Sequence, residues 1–184
     1  MRIRRVIGLA ALTLVATAAA SCGDVVRSSR TAVTLVVNSV TAGGGSTLTQ
    51  VIPPSPPVGV LGTASLSAIM KNLDIAPTVN NDVTIRRYHV EYRRADGHNT
   101  PGLDVPLPFD GVTTALITAG SAGNVSFEVV RLVAMKESPL AQIGTNPSTV
   151  SISTITDVTF FGTDNVGNDV SATGSMLINF GNGK

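Results

Sequence analysis

The chain contains one cysteine, and the residues around it give its thiol the clearest chemistry in the sequence. Cys22 follows a basic head with three arginines, an apolar run over residues 6–20 and a stretch of small residues. This order is typical of a secretory signal peptide. The apolar run is shorter than the roughly 20 residues that a membrane-spanning helix needs. We therefore expect the thiol of Cys22 to lie at the start of an exported chain.

The four residues Ala19-Ala20-Ser21-Cys22 resemble the lipobox of bacterial lipoproteins. The resemblance implies that residues 1–21 are removed and that Cys22 carries a thioether-linked diacylglycerol and an N-acyl chain. Several acyl chains anchor a protein stably, because each buried methylene contributes roughly 0.8 kcal/mol. Gly23 follows the cysteine, and the enterobacterial sorting rule then implies the outer membrane. The alternative is an ordinary signal peptide cleaved after Ala18-Ala19-Ala20, with Cys22 incidental.

A second group of candidate residues is basic and lies in the middle of the chain. One interpretation is a solvated sheet face whose charges pair with Glu91 and nearby acids, and the other is a site for an anionic glycan, lipopolysaccharide or an acidic partner. A proline-rich connection over residues 98–110 follows, and it either binds a partner or covers an open sheet edge. The candidate partner-binding residues are Arg86, Arg87, Arg93, Arg94, Leu107 and Phe109.

Oxygen-bearing side chains are concentrated near the C-terminus. Carboxylate and amide oxygens are ligands for Ca²⁺, but their spacing here does not match an EF-hand loop. The same residue types suit a tight hairpin turn, which is the favoured interpretation. We predict no metal and no cofactor. The weak calcium candidates are Asp164, Asn165, Asn168 and Asp169, with Asp157 further away.

The sequence does not bring together a set of residues suited to catalysis. His89 is expected at an exposed position on a strand, and His98 lies in a turn with Asp96 and Asn99. Without a second convergent histidine or cysteine, a zinc site lacks ligands. The sequence has no nucleophile elbow, phosphate loop or dinucleotide fingerprint. We therefore predict that the protein is not an enzyme.

Charge argues against nucleic acid as a partner. The formal net charge of the whole chain is +1, but three of its 13 basic residues lie in the predicted signal peptide. The 12 acidic residues all remain after cleavage, so the mature chain is slightly acidic. A basic surface for nucleic-acid binding is not expected.

Threonine, valine, serine, glycine and asparagine dominate the chain after residue 22, and this composition favours strands. Alternation of apolar and polar residues marks the strands, and the strand at 125–135 is expected to be central because both of its faces are apolar. Loops are predicted at 101–110, at an edge or outside the sheet, and at 136–147. The predicted strands cover residues 31–40, 48–52, 64–73, 83–94, 112–119, 125–135, 150–160 and 170–180.

The strand at 83–94 changes parity in its middle. Val83 and Ile85 share one parity, whereas Tyr88, Val90 and Tyr92 share the other. A strand that keeps one face buried cannot do this without an extra residue, so we predict a β-bulge at residues 86–87. The same segment resembles the third strand of fibronectin type III domains, in which an aliphatic residue precedes a Tyr-x-Val-x-Tyr alternation.

These elements predict an all-β fold, a single antiparallel β-sandwich of about seven to nine strands. The predicted organisation is a signal peptide (1–21), a tether (22–30) and the sandwich (31–184). The segment Thr163-Asp164-Asn165-Val166-Gly167-Asn168 resembles the hairpin turn of bacterial Ig-like repeats. The mature chain also resembles uncharacterised bacterial lipoproteins that share a Tyr-Arg-Arg-x-Asp-Gly-x-Asn-Thr-Pro-Gly segment.

Two functions follow as expectations from this reading of the sequence. The first is a lipid-anchored, non-catalytic interaction or structural module of the cell envelope. The second is a module that binds carbohydrate or a surface polymer through the arginines, the proline-rich loop and Tyr88 or Tyr92. The small number of aromatic residues, seven with no tryptophan, argues against the second.

Overall fold

The computed structural model describes residues 30–145 and 151–182. The predicted signal peptide, Cys22 and all of the predicted tether except Arg30 lie outside these ranges, so the predicted division of the chain stays a prediction. Short 3₁₀ turns occupy Val79–Asn81 and Ala134–Lys136, and α1 spans Leu140–Thr145. The strands in the described ranges are β1 (Val33–Ala42), β2 (Thr47–Val51), β3 (Val60–Met70), β4 (Val83–Arg93), β5 (Phe109–Ile117), β6 (Ala122–Val130), β7 (Ser151–Asp164) and β8 (Asp169–Gly181).

The strands form two sheets that pack face to face. The three-stranded sheet has the order β1-β3-β6, and the five-stranded sheet has the order β2-β8-β7-β4-β5. With β1, β3 and β6 compared with strands A, B and E, and β4, β7 and β8 with C, F and G, the arrangement is that of an immunoglobulin-like sandwich. The predicted all-β sandwich is confirmed. One pair departs from the antiparallel pattern, because the edge strand β2 runs parallel to β8.

The long C-terminal hairpin shows why these residues form strands. The strands β7 and β8 pair without a register shift from Ser151–Gly181 to Thr163–Asp169. Along both strands, buried residues alternate with more exposed ones. Phe160 is fully buried in the centre of the core. Burial of one face of each strand therefore fixes the register, since a slip by one residue would expose the whole apolar set.

The predicted bulge in β4 is confirmed. The register of β4 shifts between Ile85 and Arg87 against both of its neighbours, β5 and β7. Gly162 pairs with Ile85 beside the bulge. A Cβ atom at Gly162 would lie 2.5 Å from the carbonyl oxygen of Thr84, so only glycine fits there without a backbone shift. The bulge lets β4 keep its aliphatic and its aromatic half on the same buried face.

Three strand predictions are wrong in position. The strand predicted at 112–119 spans Phe109–Ile117 and includes the last two residues of the loop predicted at 101–110. The strand predicted at 64–73 begins earlier, at Val60, and ends at Met70. The strand predicted at 125–135 ends at Val130 and lies at the edge of its sheet, not at its centre. The apolar residues on both parities of this segment have another cause. The chain leaves the sheet after Val130, and the 3₁₀ turn that follows places the side chain of Met135 in the core. The helix α1 lies in the connection predicted as a loop.

Two tyrosine hydroxyls cross the core and join the sheets. Tyr92 on β4 donates to the carbonyl oxygen of Val129 on β6 at 2.7 Å. The hydroxyl of Tyr88 accepts the backbone N–H of Glu128 on β6 at 3.0 Å. Both rings are buried. Burial raises the pKa of the Tyr92 phenol above its ordinary value, since a low dielectric disfavours the ionised form.

Replacement of Tyr92 by Phe tests this connection. We expect Tyr92→Phe to lower the free energy of unfolding by about 1 kcal/mol at neutral pH, because the carbonyl of Val129 loses its buried donor. Above pH of about 10 the unfolded tyrosine ionises, whereas the folded one stays protonated, so wild-type stability falls as pH rises. The stability of the variant should therefore decline less steeply above this pH. Urea unfolding of both proteins from pH 7 to 11 measures the free energy of unfolding, and an equal dependence on pH in the two proteins would contradict the buried, protonated Tyr92.

Candidate functional site

The bulge in β4 places four polar side chains in a row on the outer surface of the five-stranded sheet. Beyond Arg86 the inward positions are taken by Tyr88, Val90 and Tyr92. The alternate residues therefore point away from the core. We call this surface, with the facing residues of β5, β7 and β8, the outer face. The row on β4 consists of Arg87, His89, Glu91 and Arg93.

At the β5 side of the outer face, a cation stacks on an aromatic ring. The Arg87 guanidinium carbon lies 3.7 Å from the centroid of the Phe161 ring on β7. The facing residue on β5, Val112, is 87% exposed. A cation over an aromatic face is attracted by the ring quadrupole. Arg87 therefore lies over a half-buried ring, opposite an exposed aliphatic residue.

Further along the outer face, Arg93 forms a two-pronged ion pair with Asp157 on β7. Its Nε donates to one carboxylate oxygen, and its Nη2 lies 3.3 Å from the other. The hydroxyl of Ser175 on β8 also donates to this carboxylate. Burial acts to raise the pKa of Asp157, but the hydrogen bonds from Arg93 and Ser175 outweigh it and hold the pKa below its ordinary value. The predicted pairing of basic residues with nearby acids is present here.

The four arginines do not form one patch. Arg94 lies just after β4 and pairs with Asp96, with its Nε 3.1 Å from a carboxylate oxygen. That hydrogen bond lowers the pKa of Asp96. Arg86 and Arg87 are neighbours at the bulge and both point outward, while Arg93 lies at the far end of the row. The geometry fits a solvated face with paired charges better than a cluster aimed at one anion.

The proline-rich connection contributes to the core as well as to the surface. Leu107 is exposed, as a partner-binding residue requires. Phe109 is buried, so its prediction as a partner-binding residue is wrong. Its ring is covered by Arg131, whose guanidinium carbon lies 4.0 Å from the ring centroid. Val105 also belongs to the core. The connection is pinned to the sandwich because its apolar residues need burial.

The hairpin turn between β7 and β8 uses its oxygen atoms internally. One carboxylate oxygen of Asp164 accepts the backbone N–H groups of Val166 and Asn168 at 3.2 and 2.7 Å. Its other oxygen accepts the Asn168 side-chain amide at 2.8 Å. Asn165 donates its amide to the carbonyl oxygen of Val79 at 2.6 Å. Asp169 lies at the start of β8, opposite Thr163. These contacts are the turn chemistry favoured by the sequence.

The two histidines lie apart, each beside one carboxylate. Nδ1 of His89 is 3.1 Å from Asp110 on β5, on the outer face, and its ring is half-buried instead of exposed. His98 lies in the loop after β4, 3.6 Å from Asp96. Next to His89 on β7, the Thr159 hydroxyl makes its hydrogen bond to Thr173 at 2.8 Å. Within residues 30–145 and 151–182, no group of three or more histidine, cysteine or acidic residues could hold a metal ion.

One buried acidic residue was not anticipated from the sequence. The Asp82 carboxylate accepts the backbone N–H of Ala119 at 2.9 Å, and its carbonyl oxygen accepts that of Asn165 at 3.1 Å. It therefore ties together three connections at one end of the sandwich. The signal available was an aspartate between two asparagines and a strand, a pattern shared with many surface turns.

Comparison with known proteins gives little beyond the fold. No family model and no curated protein matches the chain. Two solved structures are similar over 80% of it. One is the structural genomics target SoR45, with 12% identity, a TM-score of 0.39 and 86% of that chain covered. The other is a bacterial immunoglobulin-like domain from the M. primoryensis ice-binding adhesin, with 17% identity, a TM-score of 0.29 and 98% covered. In the described part of the chain, no helix could span a bilayer.

Replacement of Arg93 tests the ion pair of the outer face. We expect Arg93→Met to raise the pKa of the Asp157 carboxyl, because the variant keeps the aliphatic stem but removes the hydrogen bonds and the positive charge. Arg86→Met is the matched control, since Arg86 lies at the bulge opposite Phe161 and Gly162, several residues along the strands from Asp157, and should leave that pKa unchanged. Carbon-detected NMR titration of the aspartates measures the shift. An unchanged pKa in Arg93→Met would show that the pair does not persist in solution.

Proposed function

We propose that this chain is a lipid-anchored lipoprotein of the bacterial cell envelope, whose sandwich is a non-catalytic interaction or structural module. The observation that carries the proposal is the single cysteine at the end of a signal-peptide pattern, Ala19-Ala20-Ser21-Cys22. The first strand begins shortly afterwards, at Val33. An anchored domain therefore needs only a short connection to its lipid. By resemblance to the sorting rule, Gly23 favours the outer membrane.

The polar contacts of the sandwich support a non-catalytic role. A general base must reach the proton that it abstracts, and a nucleophile needs such a base beside it. On the outer face, His89 is beside Asp110, and the hydroxyl of Thr159, the residue that pairs with His89 on β7, is bonded to Thr173. Asp157 is held by Arg93. These groups are engaged in stabilising the surface, and an interaction module needs no more than a rigid surface.

Loss of the cysteine tests the anchor. Cells that express the full chain with Cys22→Ala should show no incorporation of labelled palmitate, and the protein should leave the membrane fraction. Ser21→Ala is the matched control, because it keeps the cysteine and a small residue before the cleavage point. It should be labelled like the wild type. Labelling of Cys22→Ala at the wild-type level would refute the anchor.

Carbohydrate binding is the second candidate, and it now depends on different residues. Tyr88 and Tyr92 are buried, so neither can stack on a sugar. The outer face instead offers Arg87 over the Phe161 ring, beside the exposed Val112. A guanidinium in this setting can bind an anionic sugar by paired hydrogen bonds.

A glycan array distinguishes this candidate from the first. If the outer face binds an acidic glycan, Arg87→Ala should abolish the signal, and Arg94→Ala should retain it because that residue lies after β4 and pairs with Asp96. An absence of signal for the wild type, or equal loss in both variants, would remove the candidate.

A further inference from the structure

The chain enters the sandwich at one particular end. Val33, the first residue of β1, pairs with Met70, the last residue of β3. The backbone N–H of Lys71 donates to the carbonyl oxygen of Ala32 at 2.9 Å. The residues that precede β1 therefore lie beside the start of the β3–β4 connection. We call this end the entry end, and its connections are residues 71–82, 118–121 and 165–168.

These three connections form one surface. The backbone N–H of Gly120 donates to the carbonyl oxygen of Ala68 at 2.8 Å, which joins the β5–β6 turn to β3. Asp82 is bonded to Ala119 and Asn165, which joins the β3–β4 connection to the other two. The connections are thus held together by hydrogen bonds of the backbone and of the Asp82 carboxylate.

Four large apolar side chains of the entry end are exposed. Leu73 is 83% exposed, Val79 73%, Val166 62% and Ile75 55%. The only charged residues in the three connections are Lys71, Asp74 and the buried Asp82. Solvent-exposed apolar groups that cluster on a surface with few charges indicate a contact with an apolar partner.

A groove of about 350 Å³ lies behind these tips. It runs between the end of β3 and the β5–β6 turn, and its lining includes Ile69, Leu73, Ile75, Pro77 and Gly120. The groove continues the apolar surface inwards from the loop tips. The lining contains no charged side chain, so the groove can accept acyl atoms without burying a charge.

The opposite end of the sandwich has a different character. Its connections include residues 94–108 and 131–139, which contain several charged side chains. Large apolar residues are exposed there too, Val58 on the uncharged connection between β2 and β3 and Leu103, Leu107 and Val133 on the other two. The last three are interspersed with Arg94, Asp96, Asp104, Arg131, Lys136 and Glu137. Most of the exposed apolar residues at this end thus have charged neighbours along the chain, whereas those of the entry end have only Lys71 and Asp74 beside them.

We propose that the entry end is a lipid-contacting surface, on which Leu73, Ile75, Val79 and Val166 rest in the interfacial region of the bilayer. The proposal rests on the proposed anchor at Cys22. Seven residues lie between Cys22 and Arg30, so an extended connection reaches at most about 29 Å. Such a short link holds the entry end close to the headgroups and gives the weak apolar contact a high effective concentration.

The consequence is a defined orientation of the sandwich on the membrane. With the entry end down, the strands of both sheets run away from the bilayer, and the charged opposite end is directed away from the lipid. The outer face, with Arg87 and Arg93, is then roughly perpendicular to the membrane plane and is open to a partner in the surrounding compartment.

A fluorescent label on the full-length lipoprotein tests the contact. Because acylation blocks the Cys22 thiol, a cysteine introduced elsewhere is the sole free thiol. Leu73→Cys is labelled with an environment-sensitive fluorophore and reconstituted into phosphatidylethanolamine–phosphatidylglycerol vesicles, with Val133→Cys as the matched control at the opposite end. We expect a blue-shifted emission, quenched by spin-labelled lipid, at Leu73 and not at Val133.

A second set of variants checks that the apolar side chains cause the contact. The label is placed at Val166→Cys, in the background Leu73→Ser, Ile75→Ser, Val79→Ser. We expect this background to lose the lipid quenching. The matched background Leu103→Ser, Leu107→Ser, Val133→Ser removes three exposed apolar residues from the opposite end, and it should keep the quenching.

The outcomes separate this inference from the anchor. Flotation of the protein with vesicles, together with equal signals at Leu73 and Val133, would overturn the lipid contact but leave the anchor intact. A wild-type chain whose Cys22 thiol reacts with the fluorophore, and which does not float with the vesicles, would refute the anchor itself. A blue-shifted emission at Leu73 that spin-labelled lipid does not quench would show that another protein segment covers the label. This outcome also overturns the proposal. If that shift grows with protein density, the cover is a second copy.

Discussion

Burial of the apolar side chains that alternate along the strands holds the two sheets together. A chain with one cysteine cannot form an internal disulfide bond, so no covalent link supports this packing. The constraint is most evident in β4, which faces the core with aliphatic residues in its first half and aromatic residues in its second. The bulge at Arg86 reconciles the two halves. Without it, Tyr88 and Tyr92 would point away from the core, and the hydroxyl bridges to β6 could not form.

The same constraint organises the surface. When the bulge turns Tyr88 and Tyr92 inward, it turns Arg87 and Arg93 outward. On β7, Phe161 lies opposite Arg87, and Asp157 reaches Arg93 diagonally from its position opposite Glu91. The charges of the outer face are therefore paired as a consequence of strand register. Strand register also determines which segments meet at the entry end. The pairing of Val33 with Met70 brings the incoming chain beside the β3–β4 connection. Fold and surface thus have a common origin in burial.

The sequence was informative wherever a single strand kept one face buried. The parity change in β4 and the uninterrupted alternation of the final hairpin are local patterns, and both were predicted. It was misleading where the chain turns, because the apolar residues after Val130 reach the core from a 3₁₀ turn and not from a strand. Phe109 and Asp82 depend on contacts with distant segments, with Arg131 and with Ala119. Such contacts leave no spacing signal, so their burial could not be predicted.

The account of function depends on a covalent bond between lipid and the sulfur of Cys22, since both the proposed location in the cell envelope and the proposed orientation of the sandwich require it. Mass spectrometry of the N-terminal peptide of the protein purified from its own membranes tests this bond most directly. The account predicts a peptide that begins at residue 22 and carries the added mass of a diacylglyceryl group and an acyl chain. A peptide that begins elsewhere, or one with an unmodified thiol at Cys22, would contradict it.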